Sequence, residues 1–288
     1  RAGLMTLSSL GGLNEMTIGA IPSAGVSGNF GDSYWREDFY TVDAFLPWNV
    51  HPGTDYFFSQ IGLSMTENSQ FAGNLGVGYA YYLENMDRLL RMGSFLTVDG
   101  QFEETRSALS VRGESLGKFV DVLAGFQLVI SDSDDIVSSG LTGSEGFSVN
   151  NYLLGGVSVR ETAYHNADVE IGGPLAYLGD YGINMYGKAY YMTNSQNDQD
   201  SLGWGVRGEW SITEDVTFNV NHTKDEIFDN STWFNVTMTT PDGAPRNFLR
   251  PISTRERFSK RIHHSGRNPT KVTTQEFEVP LVNPEDGM

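Results

Sequence analysis

Between Leu202 and Ile212 the even positions read Leu202, Trp204, Val206, Gly208, Trp210 and Ile212, whereas the odd positions read Gly203, Gly205, Arg207, Glu209 and Ser211. A period of two sends alternate side chains to opposite faces of a strand, so this segment has one apolar face and one small or polar face. The pattern recurs along the chain. Leu75, Val77, Tyr79, Tyr81 and Leu83 alternate with Asn74, Gly76, Gly78, Ala80 and Tyr82, and Val216, Phe218 and Val220 with Thr217, Asn219 and Asn221. Phe234, Val236 and Met238 alternate in the same way with Asn235, Thr237 and Thr239. A soluble β-sandwich would also alternate. Strands of about 9 to 12 residues, aromatics near their ends and a second face of Gly, Asn and Thr favour a membrane barrel instead.

The pattern predicts twelve strands, over residues 38–47, 55–65, 71–83, 88–99, 102–112, 117–130, 150–160, 162–172, 181–193, 202–212, 215–223 and 231–240. Short turns such as Pro52-Gly53, Asp99-Gly100 and Thr213-Glu214-Asp215 suit antiparallel hairpins, and no helix-length crossover interrupts them. Residues 131–148 read as a polar loop, and residues 172–180, with Pro174, as a second connection. The expected fold is all-β, an antiparallel transmembrane β-barrel of about twelve strands over 37–240. Residues 1–36, rich in Gly and Ser, read as an N-terminal periplasmic lead-in, and 241–288 as a basic linker or plug with a C-terminal tail.

Composition narrows the class. Across 288 residues no run of 18 or more apolar residues could form a transmembrane helix. A mean hydropathy of -0.31 suits a barrel, where only half of each strand must be apolar. The absence of cysteine excludes a disulfide scaffold and a thiolate metal site. Residues 1–245 carry 11 Lys or Arg against 31 Asp or Glu, a net of -20, whereas 246–271 carry eight basic residues and only Glu256, a net of +7. Such a run suits either a solvated basic tail or a segment drawn into an acidic lumen. Ser253-Thr-Arg-Glu256 has the form of a capping box and predicts a short helix over 257–264, hence a helical plug. Nucleic-acid binding is disfavoured by the overall charge of -17, which repels phosphate.

The order of segments resembles the β-domain of inverse autotransporters, the translocator part of intimin and invasin adhesins, over about residues 37–270. The resemblance is carried by Thr41-Val-Asp-Ala-Phe-Leu-Pro47, Gly73-Asn-Leu-Gly-Val-Gly-Tyr-Ala-Tyr-Tyr-Leu83, Glu170-Ile-Gly-Gly-Pro-Leu-Ala-Tyr-Leu-Gly179 leading into Gly187-Lys-Ala-Tyr-Tyr191, and Gly205-Val-Arg-Gly-Glu209 followed by Thr213-Glu-Asp-Val216. It implies a twelve-stranded barrel in the bacterial outer membrane whose C-terminal linker runs back through the pore and continues into an extracellular passenger. Arg255, Arg257, Lys260, Arg261 and Arg267 resemble that linker; adhesin repeats are not present up to Met288. An outer-membrane porin or diffusion channel, or the barrel component of an envelope assembly, is the competing expectation. The partners expected are outer-membrane lipid, the barrel-assembly machinery and a C-terminal passenger or surface partner.

Strand phase nominates Asp43, Arg91, Asp121, Asp168, Glu170, Lys188, Arg207 and Glu209 as inward charges, suited either to pairing with the basic tail or to an ordinary wet interior. Tyr79, Tyr81, Trp204 and Trp210 point outward as candidates for an aromatic girdle, or for core packing in a soluble fold. No catalytic constellation, metal site or cofactor is expected. The five histidines lack zinc-ligand spacing, and no serine is singled out by a base and an oxyanion site. The loop Ser131-Asp-Ser-Asp-Asp135 offers carboxylates to calcium but lacks the glycine and terminal glutamate of a calcium loop.

Overall fold

The structure is a computed structural model that describes residues 22–32, 38–51, 54–100, 105–131, 134–148, 151–194, 199–213, 215–240 and 269–281. Its strands are β1 (Ser23–Asp32), β2 (Phe39–His51), β3 (Asp55–Thr66), β4 (Phe71–Leu83), β5 (Arg88–Asp99), β6 (Arg106–Leu116), β7 (Asp121–Val129), β8 (Asp134–Ser148), β9 (Asn151–Ala163), β10 (His165–Pro174), β11 (Ile183–Asn194), β12 (Gln199–Ser211), β13 (Val216–Asp225), β14 (Asp229–Thr239) and β15 (Thr270–Leu281). Twelve of them close in the order β1-β14-β13-β12-β11-β10-β7-β6-β5-β4-β3-β2, all antiparallel; β15, β9 and β8 form a separate three-stranded sheet.

The strand count agrees with the sequence reading, but its membership does not. β1 lies inside the segment expected to lead in from the periplasm, and it closes the barrel by pairing with both β14 and β2. Its Gly- and Ser-rich sequence, SAGVSGNFGD, presents few apolar residues to the outside, and this hid the alternation. The segment expected as a barrel strand at 150–160 is β9, which pairs with β8 and β15 outside the barrel. Residues 131–148, expected as a loop, contain β8, and the C-terminal tail contains β15.

Alternation dictates the rest. Along β3, β4 and β5 every second side chain is buried inside the barrel while Ile61, Leu63, Leu75, Val77, Leu90, Met92 and Leu96 stand exposed on the outside. In water such a band would be costly; against hydrocarbon it is what holds the barrel in place. One end has its connections at 52–54, 84–87, 117–120, 175–182 and 212–215; the other has turns as short, at 67–70 and 226–228, but also carries the long excursion from β7 through β8 and β9 to β10. By the usual asymmetry of outer-membrane barrels, the end with the excursion lies outside and the opposite end faces the periplasm. Val77→Lys, at the middle of the lipid face of β4, should destabilise the barrel by about 2–4 kcal/mol, measured by urea unfolding in lipid vesicles.

Candidate functional site: the lumen and its outer rim

The interior is filled unevenly. Phe45, Tyr56, Phe58, Ala80, Leu89, Phe95 and Leu116 form an apolar cluster in the periplasmic half beneath β2–β6. Glycines make room for it: a Cβ on Gly76 would strike the ring of Phe95, and one on Gly78 the ring of Phe58. A second cluster, Phe39, Tyr164, Tyr190, Met192, Ile227 and Trp233, rings the outer mouth. Between them lies a cavity with Asp168, Glu170, Lys188 and Arg207 on one side and Ser27, Asn29, Thr41, Asn219 and Asn235 on the other, with Val111, Phe126 and Val206 also in its lining.

All eight sequence-nominated charges lie on the interior face of their strands. Asp43 borders the cavity from β2, apart from the others. Arg91, fully enclosed in the periplasmic half, donates from Nε to Glu114 Oε2 at 3.0 Å. The remaining six belong to one network. Arg112 Nη2 lies 3.4 Å from Asp168 Oδ2, Lys188 Nζ lies 4.0 Å from Asp168 and 3.9 Å from Glu170, and Arg207 reaches Glu170 at 2.8 Å and Glu209 at 3.1 Å. Arg207 also stacks on Tyr186, 3.9 Å from its ring centroid, and the Tyr186 hydroxyl donates to Asp121 at 3.0 Å. Asn184 Nδ2 donates to Glu209 at 3.1 Å. The wall therefore sets three cations, Arg112, Lys188 and Arg207, against four carboxylates, Asp121, Asp168, Glu170 and Glu209. In a poorly solvated interior such pairing, strongest at Arg207 with its hydrogen bonds to Glu170 and Glu209, offsets part of the desolvation.

Arg112, Glu114, Tyr186 and Asn184 were not nominated from sequence. The signal for the first two was available: Leu109 and Val111 face outward on β6, so Arg112 and Glu114 must face inward. Tyr186 and Asn184 gain their roles only from the neighbouring strands. Tyr79, Tyr81, Trp204 and Trp210 are all exposed on the outer face. Tyr79 belongs to a ring stack with Phe57 and Trp48, at centroid distances of 4.9 Å and 5.0 Å, on the periplasmic half of the outer surface. Its hydroxyl donates to Asp55 at 2.8 Å, placing an apolar ring in lipid and its polar tip at the boundary.

The outer rim is built by side chains that tie the β8–β9 excursion to the barrel. The fully buried Arg106 donates to the Glu161 carbonyl at 3.1 Å, Asn194 to the Ala163 carbonyl at 2.7 Å, and the Tyr164 hydroxyl to Gln199 at 2.6 Å. Asp134, in the stretch considered for calcium, pairs with Arg160 and accepts from Thr162 at 2.7 Å. Among the described residues, no group of three or more His, Asp or Glu could hold a metal ion. The expected helix over 257–264 and the candidate linker residues Arg255, Arg257, Lys260, Arg261 and Arg267 lie outside the described residues.

No family model matches the chain, and no curated protein matches it. A solved structure from work on the in-meso crystallization of membrane proteins aligns over 88% of this chain and 99% of its own, with a TM-score of 0.63 at 15% identity. The KdgM porin in complex with disordered oligogalacturonate aligns over 76% of this chain and 98% of its own, with a TM-score of 0.43 at 11% identity. The outer membrane phospholipase A from Escherichia coli covers 80% and 99%, with a TM-score of 0.38 and 11% identity. The first likeness supports the fold, and the other two are too loose to bear on activity. A closed, even-stranded barrel with an apolar exterior and a polar interior is the outer-membrane construction, and the chain is a β-barrel of the bacterial outer membrane.

Arg207→Met would leave Glu170 and Glu209 without their main partner and should cost about 3 kcal/mol or more of barrel stability. The double variant Arg207→Met/Glu170→Gln should recover part of that loss, both read by urea unfolding in vesicles.

Proposed function

We propose that the barrel anchors its own C-terminal segment and holds it across the membrane, with residues 241–268 running from the periplasmic end to the cell surface through the lumen. The reading is carried by the positions of two residues. Thr240 ends the barrel on the periplasmic side, where its amide donates to the Ala24 carbonyl at 2.7 Å. Pro269 borders the cavity at the opposite mouth, where its carbonyl accepts from the Tyr164 amide at 2.9 Å. The intervening chain is far longer than the roughly nine extended residues needed to cross about 30 Å of hydrocarbon.

A path outside the barrel would expose backbone polar groups and seven of the eight basic residues of 246–271 to lipid, each at a cost of several kcal/mol. A path inside meets acceptors. Gln60 Oε1, Asn74 Oδ1, Ser110 Oγ and Asn219 Oδ1 are buried on the interior without a hydrogen-bond partner, and each would accept from a guanidinium or a backbone amide. In this reading the barrel serves as a surface anchor and export conduit for a C-terminal passenger, as the resemblance to inverse autotransporters implies.

A second reading, an outer-membrane porin, is favoured by the charge pairing of the interior wall. Arg112, Lys188 and Arg207 pair with Asp168, Glu170 and Glu209 from within the barrel, so these three carboxylates have cationic partners without a basic plug. The lining of amides, hydroxyls and paired charges suits a wet channel equally well. Single-channel conductance in planar bilayers separates the two. The anchor reading expects low conductance from the full chain and a clear rise on truncation after Thr240; high conductance from both would favour the porin.

A further inference from the structure

The three-stranded sheet outside the barrel contains an interaction that pairing alone does not require. β15 lies antiparallel along the whole of β9 without a register shift, from Thr270 opposite Ala163 at the rim to Leu281 opposite Tyr152 at the far end. On the other side of β9, β8 pairs with two irregularities, between Ile136 and Ser138 and between Leu141 and Glu145. Of the two edges of β9, the one given to β15 is the straight and continuous one. Near its middle, Phe277 sits opposite Gly156, and its ring fills the space where a side chain on that glycine would begin. Gly156 is buried beneath it. A glycine in a strand interior weakens the strand unless something packs in the vacant space, and an aromatic from the facing strand is the known remedy.

We propose that β9 is a strand-acceptor site, with Gly156 as a notch that selects Phe277, and that it latches residues 270–281 in one register at the outer rim. The occupant is a segment of this chain, an extended strand whose aromatic falls at the matched position. Main-chain hydrogen bonds supply the attachment and the notch supplies the register, as in other cases of strand addition to a sheet edge. The acceptor is held rigid by Arg106, Asn194 and Tyr164, which fix its base to the barrel. The Lys271 ammonium adds a tie to the Ile227 carbonyl in the turn between β13 and β14. Once residues 270–281 have added to β9, the tail cannot slide back without breaking the ladder along its length, so emergence at the surface becomes one-way. The latch rests on the proposed function only for how these residues reach the rim.

The absence of cysteine allows a direct test. Val159 and Thr274 are register partners on the sheet face opposite Phe277. In the full-length barrel in vesicles, Val159→Cys with Thr274→Cys should oxidise to an intramolecular disulfide, and the off-register pair Val159→Cys with Val272→Cys should not. Adding Gly156→Val, which raises the strand propensity of β9 but blocks the notch, should lower the yield about fivefold, the scale of one lost aromatic pair. Adding Phe277→Ala to that variant should restore part of the yield by removing the clash. Heat-modifiable migration on gels checks that each barrel is folded. Equal yields with and without Gly156→Val would overturn the notch, and equal yields in the two registers, or disulfide-linked dimers, would overturn the intrachain latch. Conductance does not enter this assay, so its result stands apart from the fate of the lumen reading.

Discussion

Every backbone N–H and C=O within the hydrocarbon must find its partner inside the protein, and this single requirement organises the molecule. A sheet satisfies it only by closing, so a weakly strand-forming segment, β1, is recruited between β14 and β2 to remove the last two edges. Closure forces one face of every strand outward into lipid and the other inward. The outward face is solved by Leu, Val, Ile and aromatic side chains with little further specification. The inward face is a harder problem, because it receives charges and amides that lipid would refuse.

The interior answers in two ways. Where the wall is apolar, bulky rings from Phe58 and Phe95 lie against Gly78 and Gly76, so that large and small residues alternate and the space beneath β2–β6 is filled. Where it is charged, carboxylates and cations from β6, β10, β11 and β12 bind one another in a continuous ladder. What remains is a cavity bordered by hydroxyls, amides and the paired charges, with Phe39 and Trp233 of the outer cluster also in its lining.

The sequence announced the lipid-facing strands clearly. Leu75 to Leu83 and Leu202 to Trp210 alternate over a full strand, as hydrocarbon demands of its outward face, although alternation alone also fits a sandwich. The excursion was misread for the converse reason. β9 carries Leu153, Val157 and Val159 on one face and so resembles a spanning strand, yet it is paired outside the barrel, where sheet formation has no such strict code. β8 and β15, with Ser, Thr, Gly and Glu, carry no alternation that reveals them, and each becomes a strand only because β9 offers it an edge. The same holds for the interior network. Arg207 and Glu170 were visible as inward charges, but the stacking of Arg207 on Tyr186 depends on a register that single-strand patterns do not encode. The order and spacing of barrel segments carried the resemblance to a translocator, whereas the linker residues on which that function turns lie outside the described residues.

The central claim is that the chain crosses the membrane once more between Thr240 and Pro269, inside its own barrel. The most direct measurement is labelling of single cysteines on intact cells with a membrane-impermeant maleimide, against a background free of native thiols. The account predicts that Thr274→Cys is labelled on intact cells, whereas Thr240→Cys is labelled only after the outer membrane is permeabilised. Labelling of both from outside, or of neither, would place the two residues on the same side and contradict it.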